Sequence, residues 1–180
     1  MGTSNKTERQ TRIKLLRQQE DRNKRLPELL SHLSSIAGRQ FLDKDTLTID
    51  EIEKHSISLN SSDFDFNFLN ISFPQNKRIE LVNKLKILSS QLDQTNYLTF
   101  YQWAEIAVLK TNTSFITDSV EQLIELDKRR FYVHDSAYLN GLWVSSCRDY
   151  WFLDGSAKLI DILELRIFGK EWIKQIASVM

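Results

Sequence analysis

Apolar positions along this chain follow two periods, and the places where one gives way to the other predict its elements. Leu29, Leu30, Leu33 and Ile36 share one face of a predicted helix over Glu28 to Ala37, with Pro27 suited to its first turn and Gly38 as its stop. The segment before it, from a Ser4 or Thr7 cap to Lys24, lacks glycine and proline and reads as a second helix. Only Ile13, Leu15 and Leu16 are apolar there before Leu26, so it is expected to lie in solvent or against a partner. Thr48-Ile49-Asp50-Glu51 fits a capping box and opens a short helix to His55. The period then changes to two, since Phe64, Phe66 and Phe68 alternate with Asp63, Asp65 and Asn67, predicting a strand near 63–69. Ile71, Phe73 and Pro74 end that segment. Ile79, Val82, Leu85, Leu88 and Leu92 restore helical spacing over Asn76 to Leu92.

A second capping box, Thr99-Phe100-Tyr101-Gln102, predicts a helix through Lys110, and a further helix is expected from Thr117 to Lys128. Arg129 to Leu153 then packs seven aromatic rings into one short segment. It reads as a meander with strands near 130–134, 142–145 and 150–153, a turn at Asp135 to Gly141, and Asp154-Gly155 closing the unit. The tail reads as two helices. Leu159, Ile160, Ile162, Leu163, Leu165 and Ile167 lie on more than one face of the first, and Trp172, Ile173, Ile176 and Val179 form a stripe on the second. Such a stripe docks on its own body or pairs with a second copy as a homodimer; core is the favoured reading. The expected class is α+β, mostly helical, with a small antiparallel sheet packed against helices. A basic helical arm, 1–25, would precede a single domain, 26–180.

A length of 180 residues with 41% hydrophobic and 27% charged side chains suits one globular domain. No run of 18 apolar residues and no apolar leader occurs, so a cytoplasmic protein without a membrane span is expected. The single cysteine, Cys147, excludes an intramolecular disulfide and a cysteine-based zinc site. The formal charge of zero hides an asymmetry, because the first 25 residues carry eight basic against three acidic side chains. A basic arm on an acidic body seeks a polyanion, folds back on that body, or meets an acidic partner.

Helix, break, helix and hairpin over Thr99 to Ser146 resembles the element order of winged helix-turn-helix domains. The resemblance implies a recognition helix at Thr117 to Lys128 and a wing in the hairpin. Its exposed residues would include Asp118, Glu121, Gln122 and Glu125, whose carboxylates repel phosphates. Nucleic-acid binding through Arg9, Arg12, Lys14, Arg17, Lys128, Arg129 and Arg130 is therefore the alternative reading.

Catalytic chemistry finds little footing. His134, Asp135, Ser145, Ser146 and Cys147 would approach one another in the hairpin, yet no glycine-rich oxyanion turn or nucleophile elbow accompanies them. His32 and His55 stand alone on predicted helices, Asp63 and Asp65 face outward from a strand, and no phosphate loop or metal spacing appears. No cofactor is expected. The leading expectation is a non-enzymatic protein that binds another macromolecule, most readily a protein, as an inhibitor, immunity-type protein or adaptor. Tyr138, Trp143, Asp149, Tyr150, Trp151 and Asp154 are its candidate contacts, because aromatic anchors ringed by charge dominate interfaces.

Overall fold

A computed structural model of the chain describes residues 3–61, 68–91, 95–127 and 130–178. Its centre is a six-stranded antiparallel sheet in the order β1-β6-β5-β4-β2-β3. The strands are β1 (Phe68–Pro74), β2 (Thr95–Phe100), β3 (Leu109–Asn112), β4 (Arg130–Asp135), β5 (Gly141–Leu153) and β6 (Ser156–Phe168). Helices α1 (Thr3–Ala37) and α2 (Ile49–Ser61) precede the sheet; α3 (Arg78–Gln91), α4 (Thr113–Asp118), α5 (Val120–Asp127) and α6 (Lys170–Ala177) are interleaved with it. The α+β class expected from sequence is what the chain adopts. None of the helices, over the described residues, is long and apolar enough to cross a membrane.

One face of the sheet is closed. Leu98, Phe100, Phe131, Val133, Leu142, Val144, Leu163, Leu165 and Ile167 point into a core completed by Leu81 and Leu85 of α3, Ile116, Val120, Leu123 and Trp172. Alternation along each strand leaves the intervening residues on the other face. There α2 and the amino-terminal part of α1 lie over polar and aromatic side chains rather than over an aliphatic layer.

Several expected boundaries move. Residues 3–37 form one helix of 35 residues, about 52 Å long, that runs through Pro27 instead of restarting there. Pro27 and Asn23 are both exposed, so the carbonyl that loses its N–H partner lies on the solvent side, where the loss costs least. The predicted helix over Thr99 to Lys110 is instead the end of β2, a 3-10 turn at Tyr101–Trp103, and β3. Gln102, the expected box residue, donates from its backbone and side chain to Asp127. The helix expected from Thr117 starts earlier and breaks at Ser119, giving α4 and α5, so the winged-helix order is not the order found. Lys128 and Arg129 lie outside the described residues, as does most of the strand expected near 63–69; its described continuation runs on to Pro74.

The largest correction concerns the tail. Ser156–Phe168 is a strand, not a helix, because Leu163, Leu165 and Ile167 alternate fully buried against Glu164 and Arg166 between two flanking strands. The strands expected at 142–145 and 150–153 are one continuous strand, β5, whose hairpin with β6 turns on Asp154-Gly155, both with positive φ as a two-residue turn requires. The turn expected at Asp135 to Gly141 is found between β4 and β5, with Tyr138, at φ 59°, as its positive-φ residue. Trp172 and Ile176 of α6 are buried in the chain's own core, with Ile173 packed against it, as the core reading of the stripe expects; Val179 lies outside the described residues.

Candidate functional site

Between the open face of the sheet and residues 10–25 of α1 lies a cavity of about 1350 Å³. Antiparallel register organises its floor into rows that run across the strands. Phe68, Phe168, Gly141, His134 and Tyr97 make one, and Asn70, Arg166, Trp143, Tyr132 and Thr99 make the next. Gly141 opens room for a neighbour: a Cβ there would sit 2.1 Å from Cζ of Phe168, whose ring occupies the space.

The opposite wall is held by Arg22, buried within α1. Its guanidinium donates to the carbonyls of Leu47 (2.9 Å) and Ile106 (2.7 Å), to Thr46 Oγ1 (2.6 Å) and to Asp43. These bonds tie the helix to the loop before α2 and to the segment before β3, so α1 spans the sheet at a fixed point. Arg25 adds a bond to the carbonyl of Gln102 and lies over Trp103.

Guanidiniums and rings alternate across the floor. Arg130 lies 4.3 Å from the Tyr101 ring centre and 5.3 Å from that of Trp143, and Arg166 lies 5.1 Å from Trp143 and 6.0 Å from Phe68. Cation–π attraction holds each charge near a ring. Arg166 also pairs with Glu164 at 3.1 Å, whereas Arg130 has no carboxylate in ion-pair reach among the described residues. Three buried polar atoms of the Thr99 row, Thr99 Oγ1, Trp143 Nε1 and Arg166 Nε, have no hydrogen-bond partner among the described residues.

A second cluster borders the cavity. His55 of α2 meets His134 of β4 with 3.2 Å between their Nε2 atoms, and Tyr138 Oη lies 3.0 Å from His55 Nδ1. His134 Nδ1, 3.0 Å from the carbonyl of Asp135, must carry its proton. Its Nε2 then accepts from His55 Nε2–H, and His55 Nδ1 accepts from the Tyr138 hydroxyl. Burial holds the His55 pKa down to about 4, with the facing His134 adding to the shift, and burial lowers His134 as well. Burial raises Tyr138. Both imidazoles are therefore neutral near pH 7. No group of three metal-ligating side chains occurs among the described residues.

The residues singled out from sequence divide between two places. Trp143 lies on the cavity floor and Tyr138 in the histidine cluster, while Asp149, Tyr150, Trp151 and Asp154 sit on the part of the β5–β6 hairpin that projects beyond β4 and β1. Of the basic set, Lys14 and Arg17 line the cavity, Arg130 joins the ring array, and Arg9 and Arg12 are exposed on α1. The proposed nucleophile cluster does not assemble. His134 pairs with Gly141 and Arg130 with Ser145, which puts Ser145 about 13 Å along the sheet from His134, and Cys147 farther still. Burial and then the Glu164 and Asp149 charges raise the Cys147 thiol pKa, opposite to what a nucleophile needs.

Sequence reasoning missed Thr99, Tyr132, Phe168 and Arg166, and did not connect His55 to His134. Arg166 inside an apolar alternation was the available signal, and it is readable only once β6 is taken as a strand. No protein-family model, curated protein or solved structure matches this chain.

Proposed function

We propose that this protein acts by binding, not by catalysis, and that its principal site is the cavity between α1 and the open face of the sheet. The observation that carries this reading is the space itself, about 1350 Å³, lined by the rings of Tyr101, Tyr132, Trp143 and Phe168 together with the cationic Lys14, Arg17 and Arg166. Concave sites with aromatic walls and a few fixed polar groups are where small ligands bind. The test is native mass spectrometry of the protein purified under non-denaturing conditions, with a thermal-shift screen of a metabolite library beside it. A bound small molecule, or compounds that raise Tm in the native protein and not in Trp143→Leu, is the expected result. No adduct and no stabilising compound would remove the cavity as a binding site.

A second reading, capture of a protein partner, is favoured by the projecting hairpin. Tyr150, Phe152 and Leu159 share one of its faces and are 71%, 73% and 55% exposed, an apolar patch with no cover on a ribbon that the main sheet does not need. Arg148–Asp161 and Lys158–Asp154 ion pairs border it. Aromatic side chains at such a tip suit an interface anchor. Replacing Tyr150 and Phe152 together with Ser is expected to abolish partner capture while Tm stays near that of the native protein; capture that persists would end this reading. Nucleic-acid binding has less support, because Lys14 and Arg17 line the cavity.

A further inference from the structure

We infer that the cavity takes a small molecule built of a flat ring system bearing a carboxylate. This rests on the cavity being a binding site and adds the ligand's charge and shape. The charge follows from what surrounds the space. Five cationic side chains line it against three carboxylates, in a chain whose formal charge is zero. Lys24 is committed to Glu20 at 2.7 Å, but Lys14 and Arg17 on the α1 wall have no ion-pair partner among the described residues, nor does Arg130 beside the floor. His55 and His134, neutral and occupied with each other, contribute no charge at pH 7.

The floor argues the same way. Trp143 and Arg166 are directly paired residues on adjacent strands. Trp143 Nε1 and Arg166 Nε are closed off from water, but the Arg166 side chain as a whole is 36% exposed, so the accessible part of its guanidinium is what a planar carboxylate meets from the cavity. Thr99, three strands away in the same row, lies about 14 Å from Arg166 and sets the length of the floor. Between them lie Tyr132 and Trp143, their ring centres 4.9 Å apart, which favours a planar body. A carboxylate suits the site better than a polyphosphate, because the cavity has no glycine-rich backbone cradle and its donors are side chains on strands.

The test uses the full-length protein and two fluorescent probes of one shape. 8-Anilinonaphthalene-1-sulfonate carries an anion that stands in for the carboxylate; N-phenyl-1-naphthylamine is its neutral parent. Saturable binding of one anionic probe per chain is expected, about tenfold tighter than the neutral one, with a rise in Tm. In a variant carrying Lys14→Gln and Arg17→Gln, both on the rim of the cavity, the anionic preference should collapse while the neutral probe's affinity holds. Equal affinity for the two probes would overturn the carboxylate and leave the cavity as a site for uncharged ligands. A preference that survives the rim substitutions and Arg166→Gln would place the anion elsewhere and overturn it too. Binding of neither probe would overturn the cavity reading itself.

Discussion

The two faces of the sheet are built from the same six strands and do different things. On one, Phe131 and Val133 join Leu98, Leu142, Leu165 and Ile167 in a core that five helices complete, and each of these side chains is almost wholly buried among apolar neighbours. On the other, Tyr132, Trp143 and Arg166 lie half-covered beside a cavity, with His134 buried next to them and polar atoms left unpaired among the described residues. Stability resides in the first face, which leaves the second free to be polar. Adjacent residues of β4 measure the difference directly. Phe131→Ala should cost about 3–5 kcal/mol as a cavity opens in packed surroundings. Tyr132→Ala should cost less than about 1.5 kcal/mol, the scale of one ring contact with Trp143. Urea denaturation of both variants tests this, and equal losses would show that the open face is packed as tightly as the closed one.

The histidine pair belongs to the open face yet should be felt in stability. His55 is neutral when folded, with its pKa held near 4 against 6.5 for the free side chain. The unfolded chain therefore binds more protons between those values, and stability rises with pH there. His55 contributes no pH-dependent loss above about pH 6.5; below it the protein should lose up to about 3 kcal/mol as pH falls to 4. The loss should shrink in His55→Phe over the same window, the remainder coming from His134, which burial lowers as well. If wild type and variant melt in parallel from pH 8 to 4, the imidazole is not buried as described.

Much of this division was legible in the sequence, and what was not has physical causes. The class, the helical state of residues 28–37, the helix near 76–92, the start of α2 at its capping box and the aromatic strands follow from period and capping, which are local signals. The β6 strand was hidden because Leu159, Ile160, Ile162 and Leu163 fit helical spacing while alternation begins only at Leu163, and pairing with β1 and β5 decides. Pro27 misled because a proline is tolerated in a helix when its unpaired carbonyl faces water. The site was less legible than the fold. Its floor is a set of rows across five strands, so Thr99, Tyr132, Trp143 and Arg166 become neighbours only through register, which no local pattern encodes.

Gly141 marks where the two faces constrain each other. A Cβ there would meet Phe168 on the cavity side and the carbonyl of Val133 at 2.6 Å. The ring can move, but the backbone carbonyl cannot, so Gly141→Ala should cost about 1–3 kcal/mol and displace Phe168. A Tm unchanged from wild type would mean that strand β4 yields at this point.

The smallest effect is the sharpest, because the comparison predicts its sign. Thr46 and Thr99 are both buried threonines, 4% and 7% exposed. Thr46 Oγ1 accepts from Arg22 and donates to the carbonyl of Asp43, so Thr46→Val breaks two bonds and should cost about 1–3 kcal/mol. Thr99 Oγ1 has no partner, and Thr99→Val removes only a stranded hydroxyl. Stability of the ligand-free protein should therefore rise, by up to about 1 kcal/mol. A Thr99→Val protein less stable than wild type would mean that the hydroxyl is satisfied within the fold. That would return this position of the open face to ordinary packing and weaken the row as a place prepared for a ligand.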